Sequence, residues 1–218
     1  MQFDEDFFSG RKYALKERLI KRHVLEVVKW ASTVSEINLL NGKRKRALDV
    51  GCAYGYSSNV LETLGYETCG VDISTWSLMK ARMNSNGQFL VCDAQTRLPF
   101  RDATFDLVTC FDVLEHLRFP EKALQNILET CAGVMLCTTP NKTVEKPVRK
   151  IAGDFDETHI SAKSASEWEK TIRHKSDYSL LKVETFLDLT AKIANRQVFF
   201  RSFKVPNFGL TVRILVRK

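Results

Sequence analysis

The stretch Ala47-Leu-Asp-Val-Gly-Cys-Ala-Tyr-Gly55 decides how the rest of this chain is interpreted. It begins with apolar residues typical of a buried strand and continues into a turn that contains Gly51 and Gly55. Ser57 and Ser58 then open a segment with helix-forming character. A strand, a tight glycine turn and a helix start, in this order, build the nucleotide pocket of doubly wound sheets. Glycine at position 51 lets the main chain approach a ligand closely.

Two later predicted strands also end in an aspartate. Tyr66–Val71 is followed by Asp72, and Gln88–Cys92 is followed by Asp93. Because the carboxyl ends of parallel strands meet at one edge of a sheet, we expect these carboxylates to share a rim with Asp49. Asp72 also has the spacing of an acidic residue that binds ribose hydroxyls.

In their order, these motifs resemble those of the class I S-adenosylmethionine-dependent methyltransferases, densely from about residue 46 to 140 and loosely to the C-terminus. One departure is Ala53, which stands where that family usually has a second glycine, and which is tolerated there if its φ stays negative. The resemblance implies an α/β fold: a Rossmann-like three-layer sandwich with a seven-stranded, mostly parallel sheet and an antiparallel last strand. The matching segments are Leu48–Gly55, Val71–Ser74, Cys92–Ala94, Leu98–Phe100, Phe105–Val108 and Leu114–Leu117.

The same resemblance implies S-adenosyl-L-methionine as cofactor and S-adenosyl-L-homocysteine as product. It places Asp49 and Gly51 at the methionine portion. It places Asp72 at the ribose hydroxyls and Asp93 at the adenine amino group. The other residues expected to border the cofactor are Cys52, Ala53, Gly55, Ile73, Ala94 and Phe111, with Ile73 and Ala94 packing on the base.

Asp112, Glu115 and His116 follow the fourth predicted strand, and His159 lies in a later loop. In the favoured interpretation no metal is bound, and His159 or His116 is the catalytic base, since the unperturbed pKa of histidine suits proton removal. In the alternative, all four residues hold a divalent metal. That arrangement resembles metal-assisted O-methyltransferases, including ubiquinone-pathway and small-RNA 3′-end enzymes, although those have Glu in place of Asp112.

Length and composition predict one α/β domain with an ordinary core. The chain has 218 residues, of which 44% are hydrophobic and 27% charged. No apolar run approaches the roughly 20 residues needed to cross a bilayer, and the acidic N-terminus does not resemble a signal peptide. The six cysteines form no Cys-x-x-Cys pair and fall mostly in predicted strands. Buried free thiols favour a reducing, cytoplasmic setting.

The expected organisation is a helical extension or lid at residues 1–45, followed by a methyltransferase domain at residues 46–218. The polar segment 142–166 is interpreted as a long loop, which in a compact domain is usually functional or mobile. Ser166–His174 is predicted as a helix. The Phe-rich stretch 199–208 is interpreted as an insert between the last two strands.

The net charge of +7 is concentrated at the two ends of the chain. Basic ends suit RNA, an anionic substrate, an anionic lipid surface or simple solvation. The leading hypothesis is methyl transfer to an oxygen or nitrogen of a small or lipid-linked acceptor, mainly by positioning. The alternatives are an RNA methyltransferase, for example at the 2′-oxygen, and a non-catalytic S-adenosylmethionine-binding protein. A nicotinamide dehydrogenase is disfavoured because Ala53 and Tyr56 break its Gly-x-Gly-x-x-Gly pattern. The sequence does not predict an oligomeric state.

Overall fold

The computed structural model describes residues 3–152, 157–173, 178–193 and 197–218. The strands in these ranges are β1 (Arg46–Val50), β2 (Glu67–Asp72), β3 (Gln88–Val91), β4 (Phe105–Phe111), β5 (Cys131–Pro140), β6 (Ser179–Ile193), β7 (Gln197–Lys204) and β8 (Thr211–Arg217). They form one sheet in the order β3-β2-β1-β4-β5-β8-β6-β7. Strands β1 to β5 are parallel, whereas β8 is antiparallel to both β5 and β6, and β7 is antiparallel to β6.

The α-helices in the described ranges are α1 (Glu5–Gly10), α2 (Glu17–Ser35), α3 (Tyr56–Thr63), α4 (Thr75–Asn84), α5 (Pro120–Thr130), α6 (Lys142–Ala152) and α7 (Ala165–Arg173). Short 3₁₀ helices are present at Tyr13–Lys16 and Leu114–His116. None of these described helices is both long and apolar enough to span a bilayer.

Hydrophobic cores cover both faces of the sheet. One core packs α5 and α7, including the fully buried Trp168, against one face. The other packs α2 and α3 against the opposite face through residues such as Val27 and Leu61. Successive residues of β1, Ala47 and Leu48, belong to different cores, as the alternation of a strand requires. The predicted three-layer α/β sandwich is confirmed.

The strand order places a topological switch point at the carboxyl end of β1. The chain builds the sheet outward from β1 through β2 to β3, and then returns to place β4 on the other side of β1. In open α/β sheets a ligand binds in the crevice outside the carboxyl ends of the strands at such a point. The glycine turn that begins at Gly51 lies there.

The sheet has eight strands, so the predicted number of seven is wrong. The additional strand is β7, which comes from the Phe-rich stretch interpreted as an insert. It pairs with the outer half of β6, from Phe186 opposite Lys204 to Ile193 opposite Gln197. Its Phe and Val residues favour a pleated strand. The mixture of aromatic and basic residues gives no clean alternation, so the pattern alone did not indicate pairing.

The interpretation of residues 142–166 as a loop is wrong in its first half, where α6 forms. Asn141 accepts a hydrogen bond from the Thr143 backbone N–H at 3.2 Å, which satisfies one free donor of the helix start. Pro147 inside the helix costs a backbone hydrogen bond and is the reason the sequence disfavoured it. Residues 153–156 lie outside the described residues, as does His174 of the predicted helix Ser166–His174; the rest of that helix is confirmed as α7.

A buried polar cluster joins β8 to the β6–β7 hairpin. Arg213 is 1% exposed, and its Nη2 donates to Asp188 Oδ1 at 2.8 Å and to Ser202 Oγ at 2.5 Å. The guanidinium also lies 3.9 Å from the ring centroid of Phe186. Because both charges are away from water, each is stable there only while the other is present.

We expect Arg213→Met to lower the free energy of unfolding by about 3 kcal/mol, since it removes the arginine partner of Asp188 and leaves this carboxylate only Ser202 Oγ and His23 Nδ1 as neighbours. Urea denaturation measures this. Arg173→Met is the matched control, because Arg173 forms an exposed pair with Glu169 and exposed pairs contribute about 1 kcal/mol or less. Equal losses in the two variants would contradict the prediction.

Candidate functional site

The turn after β1 is shaped by left-handed backbone at three positions. Gly51, Ala53 and Gly55 have φ of 71°, 45° and 73°. A Cβ at Gly51 would lie 2.2 Å from Val113 Cγ2, so the position excludes a side chain by both conformation and space. The condition under which alanine is tolerated at position 53, a negative φ, is not met: Ala53 adopts the left-handed conformation that glycine favours, at a cost of about 1 kcal/mol.

Asp72 holds this turn in place from the end of β2. Its Oδ2 accepts from the Ala53 N–H at 2.9 Å, and its Oδ1 accepts from the Ser74 N–H at 2.8 Å. Burial raises the pKa of Asp72, and these backbone donors oppose that rise. The carboxylate therefore orders the turn at the same rim where the ribose is expected.

Asp49 is 1% exposed and has protein partners for both oxygens. Ser58 donates to Oδ2 at 2.7 Å and Thr109 donates to Oδ1 at 3.0 Å. Burial raises the pKa of Asp49 to about 6, against the lowering effect of the two hydroxyls. The residue supplies negative charge below the turn, and at the same time it joins β1 to α3 and β4.

The third aspartate, Asp93, follows β3 at the same edge of the sheet. It is partly exposed, and its Oδ1 accepts from the Gln95 N–H at 2.8 Å. Ile73, which follows Asp72, is 51% exposed, while Ala94, which follows Asp93, is buried. The structure thus brings the three aspartates to one rim, with an apolar side chain available there.

Two other expected cofactor residues face away from the rim. The side chain of Cys52 is buried against Leu78 of α4 and Phe89 of β3, so only its backbone borders the turn. Phe111, at the end of β4, is partly buried and packs against the core on the α2 side of the sheet.

Glu115, His116 and His159 form a compact cluster beyond the end of β4. One ligand atom from each lies within 4.8 Å of the other two. Glu115 is fully buried, and neither of its carboxylate oxygens has a hydrogen-bond partner. Burial, followed by the charge of Asp112, raises its pKa well above the ordinary value. A buried carboxyl of this kind takes up either a proton or a cation.

Each histidine of the cluster is oriented through its Nδ1. His116 Nδ1 lies 2.8 Å from Thr158 Oγ1 and 3.2 Å from Thr158 O. His159 Nδ1 contacts Glu145 Oε1, and Glu145 is buried on α6. Oxygen partners at Nδ1 fix a histidine ring and direct its Nε2 elsewhere, which suits both a base and a metal ligand.

Asp112, the fourth residue of the metal alternative, is not part of this group. Its backbone is left-handed with φ of 53°, and its Oδ1 accepts from Thr138 Oγ1 at 3.0 Å. The strained backbone turns the chain from β4 into the short helix that carries Glu115. Asp112 is therefore held by β5 beside the cluster.

Sequence reasoning missed Glu145, Thr158 and the contact between Phe3 and His116. Glu145 lies one turn after Asn141, which caps the start of α6. Asn141 is a residue type that favours a helix start, but Pro147 made the helix appear unfavourable from the sequence. Thr158 precedes His159 directly, but its bond to His116 spans 42 residues and has no local pattern. At the N-terminus, the Phe3 ring centroid lies 5.8 Å from that of His116.

The chain matches a family model described as a methyltransferase domain over residues 21–183. The ubiquinone biosynthesis O-methyltransferase of Paraburkholderia phymatum is 28% identical over 136 residues, which are 59% of each protein. The protein of the same name from Actinobacillus pleuropneumoniae serotype 7 is 28% identical over 162 residues, covering 69% of this chain and 68% of that protein. The chain thus spans about three fifths of the length of the first relative and about two thirds of the second.

Solved structures show the same fold. A SAM-dependent methyltransferase from Archaeoglobus fulgidus has a TM-score of 0.70 at 19% identity, covering 99% of this chain and 100% of that one. Magnesium protoporphyrin IX methyltransferase from Synechocystis, solved with bound SAH, has a TM-score of 0.62 at 20% identity, covering 91% and 83%. With the family model matched over most of its length, this chain belongs to the class I S-adenosylmethionine-dependent methyltransferases.

Proposed function

We propose that this protein transfers the methyl group of S-adenosylmethionine to an oxygen of a small or lipid-linked acceptor. The observation that carries the proposal is the Glu115, His116 and His159 cluster. Glu115 and His116 follow β4, which is the sheet neighbour of β1. The relatives named ubiquinone biosynthesis O-methyltransferases support oxygen over nitrogen as the receiving atom.

In this proposal Asp72 binds the ribose hydroxyls and Asp93 binds the adenine amino group, with Ile73 against the base. Gly51 borders the methionine portion, and the charge of Asp49 lies beneath its ammonium. The acceptor oxygen attacks the methyl carbon, the carbon–sulfur bond breaks, and its electron pair stays on sulfur. The cofactor leaves as neutral S-adenosylhomocysteine, and the acceptor hydroxyl loses its proton. Correct positioning supplies much of the acceleration of such an in-line transfer.

We assign removal of the acceptor's proton to His159. His116, the other candidate base, lies next to it. Glu145 contacts His159 Nδ1 and would stabilise the ring once it is protonated. The ring centroids of the two histidines are 4.8 Å apart.

The carboxylate of Glu115, which has no hydrogen-bond partner and lies 3.9 Å from His116 Nε2, supports a second mode for the same reaction. Glu115, His116 and His159 offer the oxygen and nitrogen atoms that a divalent cation accepts. Such a cation, when bound, would lower the pKa of the acceptor hydroxyl and orient it. The metal-free base and the cation-assisted mode differ in whether the Glu115 carboxylate is needed for activity.

We also propose that the lid is only the first part of the extension assigned to residues 1–45. Helix α2 packs on the sheet through the buried Val24, Val27 and Val28. This packing supports α2 as a layer of the methyltransferase domain and not as part of a lid. A cytoplasmic location stays a prediction, and it is supported by six cysteines that are all free.

The acceptor class is tested with methyl-labelled S-adenosylmethionine in a cell extract. We expect label in the fraction of small organic-soluble molecules. Label in RNA, with binding that weakens steeply as salt is raised, would favour the RNA alternative instead. No transfer to any fraction, despite cofactor binding, would favour the non-catalytic alternative.

We expect Asp72→Ala to weaken S-adenosylmethionine binding tenfold or more, about 1.4 kcal/mol, because it removes the ribose acceptor and a support of the turn. Isothermal calorimetry measures this. Asp102→Ala is the control, since Asp102 is exposed and pairs only weakly with Arg97. Unchanged affinity in Asp72→Ala, or NAD binding by the native protein, would contradict the assignment.

Cofactor binding is expected to weaken several-fold as the pH falls from about 7.5 to about 5.5. The pKa of Asp49 is raised to about 6, so the carboxylate takes up a proton in this window and its attraction for the ammonium is lost. Calorimetry at each pH measures the effect. In Asp49→Asn, cofactor binding should lack the part of the pH dependence that comes from this carboxyl. A pH profile identical to that of the native protein would exclude Asp49 as the source of the pH dependence.

We expect His159→Ala to lower the rate of methyl transfer about a hundredfold while the affinity for S-adenosylmethionine is unchanged. Glu157→Gln is the control, because Glu157 is exposed and lies in the same loop.

Glu115→Gln then separates the metal-free base from the cation-assisted mode. Full activity of this variant, equal in chelator and in added magnesium, indicates the metal-free base. A large loss, together with chelator sensitivity that magnesium reverses, indicates the cation. A fully active His159→Ala would refute both.

A further inference from the structure

A small pocket opens at the amino end of β1, in the loop that joins α2 to this strand. Its volume is about 440 Å³, which is in the range of pockets that hold small ligands. The side chains around it are two amides and three cations, with no carboxylate among them. We call it the basic pocket, and its lining residues are Asn38, Asn41, Lys43, Arg44 and Lys45.

Both amides of the basic pocket use their oxygen for the loop itself. Asn38 Oδ1 accepts from the Leu40 N–H at 3.1 Å, and Asn41 Oδ1 accepts from the Lys43 N–H at 3.2 Å. Within the described part of the chain, neither amide NH₂ group has a protein acceptor. The amides therefore add hydrogen-bond donors to a lining that is already cationic.

The three cations of the pocket have no competing partner in the ranges that the structure describes. Lys43 and Arg44 are exposed, Lys45 is partly buried, and none of them forms an ion pair with a described residue. On the preceding helix, by contrast, Lys29 is paired with Glu26 at 2.9 Å. An anion that enters the pocket meets the cations without first breaking a salt bridge.

The loop beneath the pocket is fixed by its neighbours. The Gly42 N–H donates to Leu64 O at the end of α3 at 2.7 Å, and the Glu67 N–H of β2 donates to Lys45 O at 2.9 Å. A Cβ at Gly42 would lie 2.2 Å from the Tyr66 ring, so the loop rests directly on that ring. Because the backbone is already held, a ligand pays no further cost for ordering it.

Arg44 occupies a left-handed position in a tight turn. The Lys45 N–H donates to Gly42 O at 2.9 Å, which closes the turn, and Arg44, third in this turn, has φ of 63°. Glycine favours this conformation, and arginine adopts it at a cost in stability. Strained positions of this kind cluster at functional sites, and here the strained residue supplies a cation to the pocket.

The basic pocket and the cofactor turn lie at opposite ends of β1. The pocket precedes Arg46, where the strand begins, and the turn follows Val50, where it ends. Five residues of strand span about 16 Å. The rim at the carboxyl end carries aspartates, which repel an anion, whereas the pocket at the amino end attracts one. A ligand of the basic pocket is therefore distinct from both the cofactor and the methyl acceptor.

We propose that the basic pocket binds the phosphate or diphosphate group of a small molecule. Phosphate oxygens accept hydrogen bonds from guanidinium, ammonium and amide donors, which are the groups that line this pocket. A compact ligand fits better than a nucleic acid, because the three cations come from one turn and line one pocket, whereas nucleic acids require a longer basic stripe. This inference does not depend on the proposed methyl transfer.

Isothermal calorimetry with inorganic pyrophosphate as the probe tests the pocket in the native protein at low salt. We expect a single binding event that Lys43→Gln/Lys45→Gln weakens about tenfold, because two charge-assisted contacts are lost. Lys122→Gln/Lys170→Gln is the matched control, since it removes the same charge from exposed positions on α5 and α7. It should leave the affinity nearly unchanged. Equal weakening in the two double variants would assign the binding to net charge and overturn the proposal.

Arg44→Gly separates binding from folding. Glycine favours the left-handed backbone of this position, so the turn should be retained and the melting temperature should not fall. The affinity for pyrophosphate should fall about fivefold, because the guanidinium is lost. Native affinity in both Arg44→Gly and Lys43→Gln/Lys45→Gln would show that pyrophosphate binds elsewhere and would overturn the assignment.

Three further outcomes with the native protein would also overturn the proposal. One is the absence of pyrophosphate binding, and another is equal affinity for sulfate, which would indicate a general attraction for anions. The third is binding of a short RNA, but not of pyrophosphate, through the same lysines, which would favour a nucleic acid as the ligand. Failure to bind S-adenosylmethionine would instead remove the proposed function and leave the result for the basic pocket unchanged.

Discussion

The hydrogen bonds of the Asp49 carboxylate are the constraint on which the site depends. A carboxylate this deeply buried is stable only if its oxygens are satisfied, and the partners come from two other elements, Ser58 on α3 and Thr109 on β4. In the sheet register Thr109 is the direct neighbour of Asp49. The three elements are thereby fixed at one point just below Gly51. The glycine turn has little freedom of its own, and Asp72 closes it from the adjacent strand.

Negative charge is gathered inside this site while the ends of the chain are basic. Asp49 and Asp72 stand at the carboxyl ends of β1 and β2, and Asp112 and Glu115 continue the series after β4. A site lined by several carboxylates favours a cationic ligand and disfavours an anionic one. Burial raises the pKa of several of these carboxyls, which means that the free site bears an electrostatic cost that a positive charge relieves.

The parts that the sequence predicted are those specified by local pattern. Strand β1 and its glycine turn are encoded within one short apolar-to-glycine stretch, and the helices α3 and α4 follow turns of ordinary length. The parts it missed depend on contacts between distant segments. Two examples are the hydrogen bond between His116 and Thr158 and the contact of Phe3 with His116. The residues around each partner show no local pattern that predicts these contacts. Ala53 is a third case, because neighbouring structure holds it in a conformation that alanine does not prefer.

Among the six free cysteines, five are buried and Cys92 is partly exposed. Its thiol lies 3.7 Å from the backbone carbonyl of Asp93, and burial raises the pKa of the thiol so that it reacts slowly at neutral pH. A thiol-reactive dye applied at mildly alkaline pH would therefore label one place in the native fold.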